Sequence, residues 1–386
     1  MIPYARQEIK KNDIREVNKV LNSDFLTQGP IVPKFEKRIS KYCGVSYATA
    51  VNSATSALHI SCLALGLGPN DWLWTSPNSF VASANCGVYC GANVDFVDID
   101  PKTYNLSISS LIIKLKDAKK SGKLPKVVVP VHFAGQPCDM KKIYQLSKKY
   151  KFKILEDASH AIGASYEKKK IGSCQYSDIT VFSFHPVKII TTGEGGMALT
   201  NNKKLSIKIK RLSTHGITRD KKLMLNRPIN EIWNYQQIEL GFNYRMTDIQ
   251  AALGLSQFKR LDNYIKNRHE IAKFYNENLK GLNIQLPLQN HNVYSSYHLY
   301  PIRIKKKLVK NTQKKIFDLL RKKKIAANLL YAPIHRHPFY ERIGFKKGDF
   351  PESEKFHEDV VCIPMYPKLL KKQIKLVVNS IKSSVL

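Results

Sequence analysis

The sequence lacks the features that place a protein in a membrane or outside the cell. No uninterrupted apolar run is long enough to span a bilayer, and residues 1–6 lack the apolar stretch of a signal peptide. The seven cysteines are scattered singly, and the closest pair, Cys86 and Cys90, does not have metal-site spacing. These absences predict a cytoplasmic protein with reduced thiols, no membrane partner and no metal.

Acidic residues are also scarce, since 30 Asp and Glu oppose 63 Lys and Arg and leave a net charge of +33. Such a protein can bind nucleic acid, an anionic membrane or anionic small molecules. Only 13 of the basic residues are arginine, the side chain best suited to bidentate phosphate recognition. No lysine cluster is interleaved with the aromatic residues that single-strand binders use. We therefore interpret the charge as lysine on a solvated surface, which favours an anionic substrate and no nucleic-acid partner. The non-enzyme alternative, a basic nucleic-acid-binding protein on a decayed enzyme fold, rests on this charge.

Alternating strands and helices are the main pattern that is present from residue 48 onwards. This alternation predicts an α/β core with a largely parallel sheet, whose ligand site lies beyond the carboxyl ends of the strands. The predicted strands are 48–51, 72–75, 94–97, 127–131, 152–155, 178–182 and 195–199, and the predicted helices between them are 79–89, 108–115 and 140–149.

Helical segments flank this alternating region. In the first, one face is formed by Ile9, Ile14, Val17 and Leu21, and Pro33 begins a second helix. Beyond residue 247 the chain is predicted to be helical to residue 280, and a small α+β unit follows. Its predicted strands are 297–304 and 326–330, and its predicted helices are 312–323 and 369–381. The 386 residues thus divide into a large domain, 1–260, which includes an N-terminal arm, and a small C-terminal domain, 261–386.

Lys188 ends an apolar run and precedes the glycine-rich stretch 191–196. Because predicted strands lie on both sides, Lys188 is expected in a loop at a strand end. A lysine there becomes a nucleophile toward a carbonyl if desolvation or a nearby cation lowers its pKa. Taken alone, Lys188 would be interpreted as a solvated loop lysine.

Three further segments fall at strand ends. Residues 52–55 open a helix, so their free N–H groups and two hydroxyls suit a phosphate, although an ordinary helix cap has the same composition. Asp157 could pair with a cationic ring nitrogen or cap the next helix, and Ser183 could add a hydroxyl to the phosphate site. Together with Lys188, this set fits pyridoxal phosphate, in which the lysine forms a Schiff base and the acid keeps the pyridinium protonated.

Five motifs resemble those of the DegT/DnrJ-type sugar aminotransferases, which are fold-type-I pyridoxal phosphate enzymes acting on nucleotide-linked keto-sugars. The motifs, in chain order, are NSATSAL at 52–58, EDASHA at 156–161, FSFHPVK at 182–188, GEGG at 193–196 and GFNYRMTDIQ at 241–250. The resemblance covers essentially the whole chain. It implies a large domain with a mostly parallel seven-stranded sheet and a small C-terminal α+β domain.

The resemblance also implies catalytic roles. Lys188 carries the Schiff base and shuttles the proton, Asp157 binds the pyridinium nitrogen, and His160 lies near the cofactor's 3-hydroxyl. Phe80 stacks on the cofactor ring. Some members have histidine in place of the lysine and act as sugar dehydratases, so the presence of Lys188 favours transamination over dehydration.

For the cofactor phosphate, the resemblance implies contacts from Ser53, Ala54, Thr55 and Ser183. It further implies that Asn243 reaches this phosphate from a second subunit. The enzyme is therefore expected to be an obligate homodimer with shared active sites.

Within the family, the N-terminal third most resembles the transaminases of the pseudaminic acid pathway. The matching stretches are IPYARQ at 2–7, LTQGP at 26–30 and SPNSFVASAN at 76–85. Those enzymes transfer an amino group from L-glutamate to C4 of UDP-2-acetamido-2,6-dideoxy-L-arabino-hexos-4-ulose in a ping-pong cycle. Closely related members use GDP- or dTDP-linked keto-sugars, so the nucleotide stays open.

Substrate contacts are also expected. Residue Arg245 is a candidate for a carboxylate or phosphate contact, with a bridge across the dimer as the alternative. The stretch 220–235, with Trp233, is longer than the resemblance predicts. Because this stretch precedes Asn243, we expect it beside the active site, where it would change the choice of substrate. The remaining candidate substrate contacts are Tyr4, Thr27, Gln28, Glu194 and His335.

Overall fold

The structure is a computed structural model that describes residues 1–228, 230–305 and 312–385. Its strands are β1 (Tyr47–Val51), β2 (Trp72–Thr75), β3 (Asn93–Phe96), β4 (Val127–Val129), β5 (Lys153–Asp157), β6 (Ser165–Tyr166), β7 (Lys169–Lys170), β8 (Ile179–Ser183), β9 (Gly196–Thr200), β10 (Ile217–Thr218), β11 (Gln236–Gln237), β12 (Ile284–Gln285), β13 (Val293–Tyr294), β14 (Tyr300–Ile304) and β15 (Val360–Ile363). Its α-helices are α1 (Lys11–Leu21), α2 (Ile31–Cys43), α3 (Ala54–Ala64), α4 (Ala82–Tyr89), α5 (Ile108–Ser121), α6 (Met140–Tyr150), α7 (Lys203–Leu212), α8 (Asp248–Phe258), α9 (Leu261–Leu279), α10 (Thr312–Lys322), α11 (Pro338–Arg342), α12 (Pro351–Asp359) and α13 (Lys371–Val385).

A seven-stranded sheet of order β1-β9-β8-β5-β4-β2-β3 forms the centre of the molecule. Strands β3, β2, β4, β5 and β8 run parallel, whereas β9 is antiparallel to both of its neighbours. Every residue of β8 and β9 is buried, which explains why apolar and β-branched residues dominate these strands in the sequence. The predicted α/β architecture with a mostly parallel seven-stranded sheet is confirmed.

Helix α5 is longer than the sequence pattern predicts. The prediction ended the helix at Leu115, but it continues to Ser121, where Gly122 terminates it. Gly122 has a φ of 71°, the left-handed conformation that glycine adopts without steric cost at a helix end. The apolar periodicity of the sequence weakens several residues before α5 ends. The end of the helix is therefore set by Gly122 and not by the apolar pattern.

The prediction of which face of α1 packs against the rest of the protein is wrong. Three of the four predicted residues, Ile9, Ile14 and Leu21, are exposed, and Val17 is half-buried. The helix instead buries Val20 and Asp13, whose carboxylate accepts a 2.7 Å hydrogen bond from the Arg260 guanidinium. A polar contact with the distant residue 260 thus helps to set the rotation of α1, and most of the predicted apolar face remains on the surface.

The long helix predicted for residues 247–280 is two helices. Helix α8 ends at Phe258 and α9 begins at Leu261, because Arg260 leaves the helical conformation with φ −109° and ψ 2°. The break lies where the sequence analysis divides the chain, and we retain the division at residue 260 as a proposal.

A second sheet, of order β12-β14-β15, is entirely antiparallel and packs with α9, α10 and α13 around its own apolar cluster. The strand predicted at 326–330 is wrong. That segment forms only an isolated bridge between Asn328 and Cys362. The outer strand is β15, a short buried run that the sequence analysis did not identify.

The composition predicts reduced cysteines and no membrane-spanning segment. All seven cysteines are buried and unpaired. Among the helices of the described ranges, none is both long and apolar enough to cross a membrane.

Candidate active site

A cavity of about 800 Å³ lies at the carboxyl ends of the parallel strands β2, β5 and β8, next to the first turn of α3. This is the position expected for a ligand in an open α/β sheet. The structure brings together there most of the residues selected from the sequence, namely Tyr4, Ser53, Ala54, Thr55, Phe80, Asp157, His160, Ser183, Lys188 and Glu194.

Lys188 lies in the loop that follows β8, held between the buried residues Phe184 and Ile189. Its backbone N–H donates to the carbonyl oxygen of His185 at 2.9 Å. Burial lowers the pKa of the Lys188 amine to about 8, although the neighbouring Asp157 carboxylate opposes this shift. The amine is therefore partly neutral near physiological pH and can act as a nucleophile.

Asp157 is the last residue of β5, and only 5% of it is exposed. Its Oδ2 accepts a 2.6 Å hydrogen bond from the Ser83 hydroxyl, and its Oδ1 accepts a 3.1 Å bond from the Ser159 N–H. The Ser83 hydroxyl is itself 2.7 Å from that of Ser79. These contacts fix the carboxylate at the cavity wall, where it can accept a hydrogen bond from a protonated ring nitrogen.

His160 has its ring orientation and tautomer set by the protein. The Ala134 N–H donates to Nδ1 at 3.3 Å, so Nδ1 carries no proton. Burial, with a smaller effect of Lys188, holds the pKa of His160 well below its usual value. The ring is therefore neutral with its proton on Nε2, which is 3.2 Å from the Tyr331 hydroxyl.

The start of α3 forms a cradle for an anion. Ser53 caps the helix by accepting from the Ser56 N–H at 3.0 Å, and the first N–H groups of the helix have no acceptor within it. A Cβ on Gly196 would lie 2.5 Å from both the Ala54 nitrogen and the Ser53 carbonyl oxygen. Glycine is thus required for β9 to approach this turn, and Ser183 adds a hydroxyl to the same cavity.

His335 does not reach this cavity. Its ring is completely buried, its Nε2 is 2.8 Å from a Glu354 carboxylate oxygen, and it packs against Phe96 and Phe350. Because the ring is enclosed by protein, this position argues against the expected substrate contact and indicates a structural role.

Four other predicted residues also lie outside the cavity of their own chain. Asn243 is exposed, and its backbone oxygen accepts from the Asn52 side chain at 3.4 Å. Arg245 forms an isolated bridge with the end of β1. Thr27 and Gln28 are exposed on the loop between α1 and α2. The described part of the stretch 220–235 extends from the β10–β11 ribbon as a surface segment and does not line the cavity either.

Two residues that the sequence analysis did not select, His298 and Tyr331, line the cavity from the C-terminal part of the chain. The His298 ring packs against that of His160 at an angle of 42°, with ring centroids 4.4 Å apart. Arg268, which is 1% exposed, donates from Nη1 to the carbonyl oxygens of Tyr297 and His298 at 3.0 and 3.2 Å. No local sequence pattern marks these positions, because tertiary packing alone brings them to the strand ends.

The family model of the DegT/DnrJ/EryC1/StrS aminotransferases matches residues 7–382. The chain belongs to this family. It is an aminotransferase with the fold-type-I architecture, and members of the family depend on pyridoxal phosphate. The predicted resemblance is therefore confirmed at the level of family and fold.

Curated relatives match the aminotransferase over nearly its full length. The UDP-4-amino-4,6-dideoxy-N-acetyl-beta-L-altrosamine transaminase of Campylobacter jejuni subsp. jejuni serotype O:23/36 is 35% identical, covering 99% of this chain and 97% of the relative. The spore coat polysaccharide biosynthesis protein SpsC of Bacillus subtilis is 36% identical over 100% and 97% of the two chains. A GDP-perosamine synthase of Caulobacter vibrioides is 33% identical over 98% and 97%.

Solved structures are similar over comparable lengths. The aminotransferase PseC of Helicobacter pylori, involved in pseudaminic acid biosynthesis, superposes with a TM-score of 0.88 at 31% identity, covering 100% of this chain and 99% of that one. The PLP form of a putative sugar aminotransferase, Spr1654 of Streptococcus pneumoniae, superposes with a TM-score of 0.89 at 28% identity, covering 100% and 98%.

Proposed function

We propose that this aminotransferase moves the amino group of L-glutamate to C4 of a nucleotide-linked 4-keto-6-deoxy sugar in a ping-pong cycle. The specific substrate we propose is UDP-2-acetamido-2,6-dideoxy-L-arabino-hexos-4-ulose. The observation that carries the reaction type is Lys188, whose lowered pKa and position beside Asp157 suit a nucleophile and proton carrier. The similarity to the altrosamine transaminase supports the substrate.

Pyridoxal phosphate fits the residues that are present. The first turn of α3 with Ser53 suits its phosphate, and the buried Asp157 carboxylate suits its ring nitrogen. When bound, the cofactor supplies an electron sink that stabilises negative charge on the carbon bearing the amino group. Phe80 at the cavity wall, with its side chain largely exposed, has the apolar face that a stacked ring requires.

The residues around the reacting carbon would divide the remaining work. The neutral Lys188 amine would take a proton from the donor's α-carbon in one half-reaction, and its protonated form would deliver a proton to C4 of the sugar in the other. Asp157 keeps the ring nitrogen protonated, and the hydrogen bonds from Ser83 and Ser159 hold its carboxylate in place. The walls of the cavity, which include Val131 and Leu330, limit water near the reacting atoms.

We further propose a homodimer in which the partner completes each site. Asn243 supports this assignment, because its side chain is exposed while its backbone lies against Asn52 at the cavity edge. Exposed apolar side chains nearby in sequence, such as Ile232 at 92% and Leu240 at 78%, are suited to burial against a second copy. The stretch 220–235 would then approach the partner's site and influence the choice of substrate.

The experiment is to incubate the purified enzyme with L-glutamate and a panel of UDP-, GDP- and dTDP-linked 4-keto-6-deoxy sugars. We expect stoichiometric 2-oxoglutarate and a 4-amino sugar from the UDP-linked 2-acetamido substrate, measured by coupled assay and mass spectrometry. Amination of the GDP-linked sugar instead would identify the second candidate, which the similarity to GDP-perosamine synthase favours.

Two other results would overturn the proposal. Loss of water from the sugar without release of 2-oxoglutarate would indicate a sugar dehydratase. Failure to bind pyridoxal phosphate, judged from the absorbance spectrum, together with tight binding to nucleic acid would support the non-enzyme alternative.

A further inference from the structure

We propose that the Tyr331 hydroxyl donates a hydrogen bond to the oxygen adjacent to the reacting carbon in both substrates. In the amino donor this oxygen belongs to the α-carboxylate, and in the keto-sugar it belongs to the hydroxyl next to C4. The inference rests on the proposed function and extends it by naming a residue that recognises both reactants.

The direction of the Tyr331 proton follows from His160. The Ala134 N–H occupies Nδ1 of His160, so the single proton of the neutral ring lies on Nε2. Nε2 therefore donates to the Tyr331 oxygen, 3.2 Å away, and the hydroxyl is the acceptor in this pair. The hydroxyl's own hydrogen must consequently point away from His160.

That hydrogen has no recorded protein acceptor in the described ranges of the chain, and Tyr331 lines the cavity. The ring is held by aromatic neighbours: it is nearly parallel to His160 at 15° and lies 6.3 Å from Phe133 and 6.4 Å from Phe80. Burial, with smaller effects of Cys362, Tyr4 and Asp157, raises the pKa of Tyr331, so the hydroxyl keeps its proton. A fixed donor therefore faces the space where substrate must lie.

The charges around the cavity explain why a neutral donor is suitable. None of the described residues that line it is arginine. Four of the described side chains that line it carry basic groups. Burial holds the pKa values of His160 and His298 well below their usual range, so both rings are neutral. Lys188 is committed to the chemistry, and His185 lies 3.9 Å from the Glu194 carboxylate. In a ping-pong cycle the same space receives a carboxylate and then a neutral sugar. A buried arginine would lose its partner when the sugar binds, whereas a hydroxyl can donate to either oxygen.

The test uses the Tyr331→Phe holoenzyme and follows each half-reaction separately through the absorbance of the cofactor. We expect kcat/KM to fall about tenfold or more with L-glutamate, where the acceptor is charged, and a few-fold with the keto-sugar. The control is Tyr340→Phe, which removes a buried hydroxyl bonded to Asn85 at 2.7 Å, outside the cavity. This control should leave both half-reactions unchanged.

A second measurement separates recognition from general damage. 4-Aminobutyrate is glutamate without the α-carboxylate, so the wild type should react with it slowly and Tyr331→Phe should react with it equally slowly. Nitrogen-15 NMR of the apoprotein should show His160 with its proton on Nε2 in both proteins, because Ala134 is unchanged.

The inference is overturned if Tyr331→Phe retains wild-type kcat/KM in either half-reaction. It is also overturned if the substitution slows the reaction with 4-aminobutyrate as much as the reaction with glutamate, or if Nδ1 of His160 carries the proton. These results differ from a failure of the proposed function, in which the wild type itself would not react with glutamate.

Discussion

Arg268 on α9 donates from Nη1 to the carbonyl oxygen of His298 at 3.2 Å, and so ties a helix to a turn at the cavity wall. The same nitrogen also donates to the carbonyl oxygens of Tyr297 and Met365. Arg268 is 1% exposed, and this burial lowers its pKa to about 9. One guanidinium thus joins three chain segments behind the site.

Replacing Arg268 with Met should destabilise the fold by about 3 kcal/mol or more, because three buried carbonyl groups lose their donor. The free energy of unfolding in urea measures this change. Arg321→Met is the matched control, since Arg321 is exposed and its guanidinium lies 4.5 Å from the centroid of the Phe317 ring, and it should cost less than about 1 kcal/mol. Equal losses in the two variants would show that the buried contacts are not what stabilises this region.

Uptake of pyridoxal phosphate by the apoprotein should become faster as the pH rises through about 8. The pKa of Lys188 is lowered to about 8, so the amine is mostly protonated and unreactive below that pH and neutral above it. Stopped-flow absorbance over a pH series tests this dependence. Lys188→Ala should not form the covalent complex and should lose at least about 10²–10⁴-fold in amino transfer, whereas Lys120→Ala, on the exposed end of α5, should behave as wild type. A pH-independent rate would mean that the Lys188 amine is not the titrating nucleophile.

Asp157→Asn should retain the shape of the site but reduce kcat, because an amide cannot stabilise a protonated ring nitrogen by charge. Each unit by which the pKa of that nitrogen falls corresponds to about 1.4 kcal/mol of lost stabilisation of its protonated form. Steady-state kinetics and the cofactor's spectrum measure the effect. Ser83→Ala removes one hydrogen bond to the carboxylate and should cost less, while Asp71→Asn, in a surface pair with Lys126, should cost nothing. Full activity in Asp157→Asn would refute the assigned role.

Gly196→Ala should weaken cofactor binding by about tenfold or more, because its Cβ would displace the first turn of α3. The dissociation constant for pyridoxal phosphate, measured by titration of the apoprotein, reports the change. Gly68→Ala is a suitable control, since its Cβ has no neighbour within 4 Å. Unchanged affinity in Gly196→Ala would place the phosphate somewhere other than this turn.

Mixing Lys188→Ala with Asn243→Ala should restore activity if the sites are shared across a two-fold interface. A mixed dimer then has one site with both lesions and one intact site, so it recovers up to about half of the wild-type activity. Activity after subunit exchange, confirmed by native mass spectrometry, provides the measurement. If exchange is demonstrated, each variant alone is inactive and no activity returns, then Asn243 does not act in the partner's site.

The sequence alone indicated the central sheet and the residues at its strand ends. Strands such as β8 are buried on both faces, so apolar and β-branched residues dominate the run and make it recognisable without a structure. The carboxyl ends of parallel strands meet at one edge, and this topology explains why Asp157, Ser183 and Lys188 could be expected to share a cavity. The motifs identified the family, because several of these short segments place at a strand end the side chains that bind the phosphate or the ring of pyridoxal phosphate.

Only the tertiary structure decided the contacts between distant segments. The rotation of α1 depends on the pairing of Asp13 with Arg260, which no helical periodicity contains. The sequence analysis named His335 as a candidate substrate contact, but packing against Phe350 and pairing with Glu354 enclose its ring. Tyr331 reaches His160 from 171 positions away. Local patterns report burial and backbone preference, whereas the partner of a polar side chain is set by how separate elements pack, and that information exists only in the folded chain.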